Sequence, residues 1–95
     1  MLRVSEIQGD DGAAVLRLEG EVIGSDVDQV RQVIEESLAA GVHLTLDLAD
    51  LLFVDREGIA LFRKLAGRQV EFINSSPFLT EQLKDVISKI GQLGN

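Results

Sequence analysis

Cysteine, tryptophan and tyrosine are absent from the 95-residue chain, and histidine and proline occur once each. Without cysteine the chain has neither a disulfide framework nor a thiolate centre. One histidine, His43, cannot supply a metal site unaided. The chain also lacks a serine-hydrolase elbow and the two common glycine-rich phosphate loops. We therefore expect no bound metal, no cofactor and no enzymatic activity.

Long hydrophobic runs and positive charge are also scarce. The first residues lack the apolar core of a signal peptide, and no run approaches the ~20 apolar residues of a membrane span. Nine Lys and Arg residues against 16 Asp and Glu residues give a net charge of −7. This acidity disfavours binding to nucleic acid or to anionic lipid. We expect a cytoplasmic protein, without direct membrane insertion, whose partner is a protein with a basic face.

Hydrophobic residues make up 45% of the chain, which is enough for one core in a chain of this length. We expect a single domain over residues 1–95. The core should be mainly aliphatic, and its largest side chains should be those of Phe53, Phe62, Phe72 and Phe78.

Apolar periodicity predicts two strands and then a helix in the first half of the chain. Residues 2–7 and 14–19 should form a hairpin around the turn at residues 9–12, and residues 20–24 should leave the sheet. Ser25 should open a helix as part of an approximate capping box with Asp28. Gly41 should end that helix. Its buried stripe should consist of Val27, Val30, Ile34 and Leu38.

The second half of the chain predicts two more strands and two more helices. Residues 42–48 should form a strand, and the apolar residues 51–54 should be buried beside the sheet. Asp55 is placed to cap a helix, residues 70–73 should form a strand, and Pro77 after Ser76 should begin a last helix. The apolar residues of these two helices are Ile59, Phe62 and Leu65, then Leu79, Leu83, Val86, Ile87 and Ile90.

The resulting order is ββαβαβα. A helix that joins two strands of one sheet favours a parallel crossover, whereas a short hairpin joins antiparallel strands. The sequence therefore predicts an α/β fold with a small mixed four-stranded sheet and helices mainly on one face.

Residues 47–59, DLADLLFVDREGI, resemble the core signature of the STAS domain, the family of bacterial anti-sigma factor antagonists. The family pattern is roughly D-L-S-x-(V/L)-x-F-(I/V)-D-S-S-G-(L/I). Residues 16–21, LRLEGE, look like the family's second strand, and residues 74–77, NSSP, look like the start of a late helix. The resemblance implies a STAS-like fold and regulation of transcription through an anti-sigma factor of the histidine-kinase-like class, which phosphorylates the antagonist.

The chain departs from this pattern where the family carries its regulatory serines. Arg56 and Glu57 replace the two serines, and the second serine is the usual phosphorylation site; Asp55 and Gly58 are kept. A carboxylate at a helix N-terminus is favoured by roughly 0.3 to 1 kcal/mol and stands in for part of a phosphate. The simpler interpretation makes Asp55 an N-cap and Glu57 an ordinary first-turn residue. Likewise, Ser25, Ser75 and Ser76 are better explained as cap or turn residues than as switches.

The predicted site is a protein-binding or regulatory surface. It consists of Ile23, Ser25, Asp26, Asp55, Arg56, Glu57 and Gly58. Ile23 falls where the family frequently has an acidic residue.

Two other functions stay open at this point. One is a cytoplasmic STAS accessory subunit of an ABC-type membrane transporter, whose partner would be the transporter ATPase. The other is a nucleotide-binding sensor domain, which the missing phosphate loop disfavours. Because STAS domains commonly continue into one more strand and helix, we expect either one strand fewer or a sheet edge covered by another chain. The sequence also leaves open a homodimer.

Overall fold

Seven secondary-structure elements occur in the part of the chain that the computed structural model describes, residues 1–8, 12–68 and 70–83. Their order is ββαβαβα, as predicted. They are β1 (Leu2–Gln8), β2 (Ala13–Val22), α1 (Asp26–Ala39), β3 (His43–Val54), α2 (Arg56–Ala66), β4 (Glu71–Ile73) and α3 (Pro77–Gln82). The predicted turn residues 9–11 and the predicted helix residues Val86, Ile87 and Ile90 lie outside the described residues.

The four strands form a mixed sheet in the order β1-β2-β3-β4. β1 runs antiparallel to β2, with Leu2 opposite Gly20 and Ile7 opposite Val15. β2 with β3, and β3 with β4, are parallel pairs, each joined through a helix as parallel neighbours require. The predicted fold, a mixed four-stranded sheet in an α/β protein, is confirmed.

One face of the sheet carries the core and the helices. Alternate residues of β2 and β3 are buried on that face, which is the pattern of strands covered on one side. The helices bury apolar residues against the same cluster, and the predicted stripe of α1 is confirmed. The cluster contains Leu16, Leu18 and Val22 of β2; Leu44, Leu46 and Leu48 of β3; Val27, Val30 and Ile34 of α1; Leu61, Phe62 and Leu65 of α2; and Leu79 of α3.

The second half of β3 contains two irregularities. The register between β2 and β3 slips by one residue twice in this half. Each slip adds a residue to β3, as in a β-bulge, and changes which side chains face the core. Leu51 and Val54 are buried, but Leu52 is 68% exposed and Phe53 is 39% exposed. The prediction that residues 51–54 form one buried run is therefore wrong for its two central residues.

The phenylalanines do not all enter the core. Phe62 is fully buried, and its ring centroid lies 5.5 Å from that of the half-buried Phe72. Phe53 and Phe78 are exposed. The expected core role is wrong for these two residues because Phe53 follows a bulge and Phe78 lies in the first turn of α3, where Leu79 takes the core position.

β2 is longer than predicted. It continues to Val22, whereas residues 20–24 were expected to leave the sheet. Gly20 has φ +99°, and a Cβ atom there would lie 2.0 Å from the Met1 carbonyl oxygen. This glycine permits a close approach between β1 and β2 instead of ending the strand.

The ends of the helices test the capping predictions. Ser25 does not cap α1: its backbone is helical, with φ −68° and ψ −12°, and its side chain makes no cap hydrogen bond. A capping residue needs a β-region backbone, so this prediction is wrong. Ser76 and Pro77 do begin α3 as predicted, because Ser76 Oγ accepts a hydrogen bond from Leu79 N at 3.2 Å. Gly41, with φ +80°, follows the end of α1 as predicted.

Candidate functional site

Three loops follow the carboxyl ends of the parallel strands β2, β3 and β4. We call these loops, together with the helix starts that follow the first two, the carboxyl edge, and we define it as residues 23–26, 55–58 and 74–76. In open α/β sheets, ligands bind at this edge because the strand ends and helix N-termini meet there. Three of the seven predicted site residues, Ile23, Ser25 and Asp55, lie in the first two loops. The other four begin the helices that follow: Asp26 is the first residue of α1, and Arg56, Glu57 and Gly58 lie in the first turn of α2.

Asp55 connects two of these loops. Its backbone is extended, with φ −80° and ψ −178°, and its Oδ1 accepts a hydrogen bond from Gly58 N at 2.9 Å. Its Oδ2 accepts a second hydrogen bond from Gly24 N at 3.0 Å. The predicted N-cap is thus confirmed, and the same carboxylate also fixes the β2–α1 loop. These backbone donors, with Gly24 contributing most, hold the pKa of Asp55 below its usual value.

Gly58 lies in the first turn of α2, where the helix packs tightly against the ends of β2 and β3. A Cβ atom at this position would lie 2.5 Å from Val54 Cγ1 and 3.2 Å from Val22 Cγ1. Carbon atoms in contact are normally about 3.5 to 4.0 Å apart, so only glycine fits without displacement. The glycine of the D-x-x-G pattern therefore sets how closely the first turn of α2 approaches β2 and β3.

The β2–α1 loop is held by a second carboxylate. Asp26 Oδ2 accepts a hydrogen bond from Ile23 N at 3.2 Å, and Gly24 has φ +57°. Ile23 is 38% exposed, and Ser25 is exposed. The fold thus brings the loop of Ile23 to Asp26 beside Asp55, as the predicted surface requires.

Arg56 and Glu57 are exposed on the first turn of α2. The Glu57 carboxylate stands where the free N–H groups and the helix dipole favour negative charge. Glu57 also lines a depression of about 230 Å³ between α1 and α2, together with Arg31, Ala60, Leu61 and Lys64. The predicted position of Glu57 at a helix start is therefore correct.

Sequence reasoning missed Leu52 and Phe53 as surface residues. Phe53 of β3 is paired with Glu21 of β2, and Ile23 comes two residues after Glu21. Ile23 directly follows the last residue of β2, and Leu52 and Phe53 lie near the end of the neighbouring β3, so these three exposed side chains come from adjacent strand ends. Together Ile23, Leu52 and Phe53 form what we call the apolar patch. Four apolar residues in a row, in place of strict alternation, were the only sequence signal for the bulge.

The third loop is fixed by Asn74 and Asp47. Asn74 has φ +60°, and its Nδ2 donates a hydrogen bond to Asp47 Oδ1 at 3.1 Å. The same oxygen accepts a hydrogen bond from Ala49 N at 3.0 Å, and Arg17 Nε lies 3.6 Å from Asp47 Oδ2. Asp47 is only 6% exposed, and the bond from Asn74 is the main reason why its pKa is lowered. Asp47, the first residue of the signature, thus ties β3 to the loop that precedes α3.

The remaining polar residues considered as candidate switches or ligands, Ser75, Ser76 and His43, make ordinary structural contacts. Ser76 is used as the cap of α3, and the Ser75 hydroxyl accepts a hydrogen bond from Thr80 Oγ1 at 3.1 Å. His43 begins β3 at the opposite end of the sheet, where its Nε2 lies 3.5 Å from a Glu71 carboxylate oxygen.

In residues 1–8, 12–68 and 70–83 no group of three or more His, Cys, Asp or Glu side chains is arranged to hold a metal ion. No helix within these ranges is long and apolar enough to cross a membrane.

Comparison with solved structures identifies the fold. The anti-sigma factor antagonist SpoIIAA in its unphosphorylated form superposes with a TM-score of 0.72 at 21% identity, over 86% of this chain and 82% of that chain. An anti-sigma factor antagonist from Mycobacterium paratuberculosis gives a TM-score of 0.76 at 15% identity, over 96% and 84%. An uncharacterized DUF3478-family protein from Shewanella loihica PV-4, described as having a SpoIIAA-like fold, gives 0.62 at 15% identity, over 93% and 78%.

Sequence comparison identifies the family. No curated protein matches the chain. The sequence model described as "Mlab, STAS domain" matches residues 5–85, which include the whole of the D-x-x-G signature and all of the carboxyl edge. The resemblance to STAS domains is thereby confirmed, and the chain belongs to the Mlab STAS domain family.

Proposed function

We propose that the protein is a non-enzymatic, cytoplasmic protein-interaction module of the anti-sigma factor antagonist type. In this proposal its carboxyl edge and apolar patch together dock a regulatory partner protein. The shared fold with two anti-sigma factor antagonists supports the class of function. The identity of the docking surface is supported by the chemistry of the edge itself.

The observation that carries the proposal is the apolar patch. Ile23, Leu52 and Phe53 are 38%, 68% and 39% exposed, although each is a large hydrophobic side chain. Grouped exposed apolar side chains with a polar surround are typical of protein-binding surfaces. The loop beside them is held by Asp55 and Asp26, so binding would order few new residues and would lose little affinity to conformational entropy.

Charge favours a partner with a basic rim. The carboxyl edge carries three carboxylates, Asp26, Asp55 and Glu57, against one cation, Arg56. The whole chain has a net charge of −7. Complementary charges around an apolar centre raise association rates and exclude partners of the wrong sign. We therefore propose a protein partner that presents an apolar centre and lysine or arginine side chains around it.

Glu57 determines whether partner binding can be regulated by phosphorylation at this position. It occupies the position that the family resemblance gives to the phosphorylated serine, and a glutamate carboxylate forms no stable phosphate ester. A phosphoserine carries nearly two negative charges and three acceptor oxygens, whereas Glu57 carries one charge and two oxygens. We propose that α2 begins with a permanent but partial phosphate mimic, so that a kinase cannot release the partner through this position.

Glu57 also favours the second candidate, an accessory subunit of a membrane transporter whose partner is the transporter ATPase. Such a subunit needs a stable docking surface and no phosphorylation cycle at its interface. An anti-sigma factor kinase, by contrast, is expected to bind the uncharged serine form best. The two candidates therefore predict opposite effects when Glu57 is replaced by serine.

The docking surface is tested with a matched pair of variants. Ile23→Asp places a charge in the apolar patch, whereas Ile7→Asp makes the same change at a similarly exposed position on β1, at the other end of the sheet from the carboxyl edge. Tagged wild type and both variants would be used to isolate partners from the source cell, with identification by mass spectrometry. We expect the wild type and Ile7→Asp to retain one shared partner that Ile23→Asp loses. Equal retention by all three would contradict the proposed surface.

The captured partner then decides between the two candidates. Calorimetry would compare the wild type, Glu57→Ser and Glu57→Gln at low and near-physiological salt. Tighter binding by both variants, with a gain that shrinks in salt, indicates a kinase-type partner repelled by the carboxylate. Weaker binding by both variants indicates that Glu57 is a direct contact, and an ATPase as the captured protein supports the transporter role.

A further inference from the structure

The exposed face of α2 carries opposite charges at its two ends. Glu57, Ala60 and Lys64 are all exposed, and Glu57 and Lys64 are seven residues apart. Seven residues make almost two full turns of an α-helix, so the two residues lie on the same stripe, with their backbone positions about 10 Å apart along the helix axis. Ala60 and the buried Leu61 lie midway between them. Because Ala60 is small and the Leu61 side chain points into the core, no large side chain projects from the centre of the stripe.

The two charges are unused within the described part of the chain. The side chains of Glu57 and Lys64 make no hydrogen bond or ion pair with other residues in the described ranges. By contrast, Arg31 on the neighbouring helix donates to Asp28, and Arg68 donates to both carboxylate oxygens of Glu35 at 2.8 and 2.7 Å. The stripe thus faces the 230 Å³ depression with both of its end charges available to an external partner.

A stripe with this charge pattern is complementary to itself. A two-fold axis through the midpoint between Ala60 and Leu61 would place Glu57 of one copy opposite Lys64 of the other, and the reverse. Two-fold interfaces have this form: if residue i contacts residue j, then j contacts i. The small Ala60 at the centre lets the two helices approach closely, and no like charges would meet along the stripe.

We propose that a second copy of this chain docks on the α2 stripe, in an antiparallel dimer with two Glu57–Lys64 ion pairs. The proposal goes beyond the partner-docking function and depends on two residues, Lys64 and Ala60, that are not part of the carboxyl edge. Glu57 belongs to both surfaces, so the dimer and the proposed partner complex would exclude each other. Self-association at high protein concentration would then block the partner-binding surface.

The dimer is expected to be weak. Exposed ion pairs contribute little individually, and this stripe buries mainly polar residues. We therefore expect self-association that is measurable by sedimentation equilibrium at protein concentrations up to about 1 mM in low salt, and that weakens as salt rises.

A charge-swap experiment tests the geometry. Glu57→Lys and Lys64→Glu each place like charges opposite one another at both ends of the interface, so each should weaken dimerisation by about tenfold or more. The double variant E57K/K64E restores opposite charges, and it should return the dimer to near the wild-type dissociation constant. Glu6→Lys, an exposed residue on β1, makes the same change of net charge as Glu57→Lys and should leave dimerisation within about twofold of the wild type.

The results separate this proposal from the docking function. A wild type that stays monomeric at about 1 mM in low salt overturns the dimer, as does a double variant no better than the two single variants. The variants should be compared by circular dichroism and thermal melts; the spectra should match the wild type because both positions are exposed, and each charge reversal should lower Tm by only a few degrees against the dipole of α2. Lys64→Glu alone leaves the carboxyl edge intact. Loss of dimer with retained partner binding in this variant therefore supports the proposal independently of the partner's identity.

Discussion

Gly58→Ala should destabilise the protein, although the same substitution usually favours a helix. Its Cβ atom would lie 2.5 Å from Val54 Cγ1, about 1 to 1.5 Å inside normal carbon contact. Val54 and Val22 are both 0% exposed, and valine is stiff about χ1, so neither can turn away cheaply. Either α2 shifts or the strand ends do.

The magnitude follows from two opposing effects. Overpacking of a well-filled core costs about 1 to 3 kcal/mol. Replacing a helical glycine by alanine stabilises the helix by up to about 1 kcal/mol, and by less in a first turn. Because the contact is severe and both neighbours are buried, we expect a net loss of about 2 kcal/mol in the free energy of unfolding. In a chain of this size that corresponds to a fall in Tm of roughly 8 to 16 °C.

Urea unfolding followed by circular dichroism measures this change, and Gly67→Ala provides the control. Gly67 has φ −72°, and among the described residues its new Cβ would meet the Lys64 carbonyl oxygen at 3.4 Å, an ordinary contact distance. We expect Gly67→Ala to be neutral or to stabilise by up to about 1 kcal/mol through the unfolded state. If Gly58→Ala is as stable as Gly67→Ala, the close approach of α2 to the strand ends is not what excludes a side chain at position 58.

Three further predictions concern the core, the caps and pH. Phe62→Ala should cost about 3 to 5 kcal/mol in urea melts, because the ring is fully buried; a loss below about 1 kcal/mol would contradict that burial. Ser76→Ala should cost about 1 kcal/mol by losing the α3 cap, whereas Ser25→Ala should change stability by less than about 0.5 kcal/mol because Ser25 makes no cap bond. The lowered pKa values of Asp55 and Asp47 mean that their stabilisation is present above the unfolded-state pKa and is lost as pH falls below about 4. Unfolding free energies measured from pH 6 to 2 should therefore fall less steeply for Asp55→Asn than for the wild type, and equal slopes would contradict the assignment.

The order of elements was predictable because its signals are local. The stripe of Val27, Val30 and Ile34 repeats at helical spacing, and a proline after Ser76 starts a helix whatever surrounds it. Asp55 was predictable as a cap for the same reason, since its Gly58 donor is three residues away. Such features depend on a few neighbouring residues, and tertiary packing does not change them.

The exposed residues of β3 were not predictable, because a bulge depends on pairing between strands. Leu51, Leu52, Phe53 and Val54 are equally apolar, and nothing in their order tells which two face solvent. The answer comes from the two slips of register against β2, which depend on how both strands twist. The cap prediction for Ser25 was wrong at a loop that also depends on a distant residue: the backbone of Ser25 is helical, and the loop that contains it is hydrogen-bonded by Asp26 and by Asp55.

The second hydrogen bond of Asp55 shows what the sequence could not predict about the site itself. Gly24 is 31 residues away from Asp55, and it comes within reach only because Val22 lies opposite Val54 and Asp55 N donates to Val22 O at 3.0 Å. One carboxylate therefore both caps α2 and fixes the loop that carries Ile23. A partner that displaced this loop would break a bond to the same group that caps α2, and would thereby disturb the first turn where Glu57 stands. The apolar patch and the Glu57 carboxylate are thus connected through Asp55, and Asp55→Asn should alter partner binding even though Asp55 need not touch the partner.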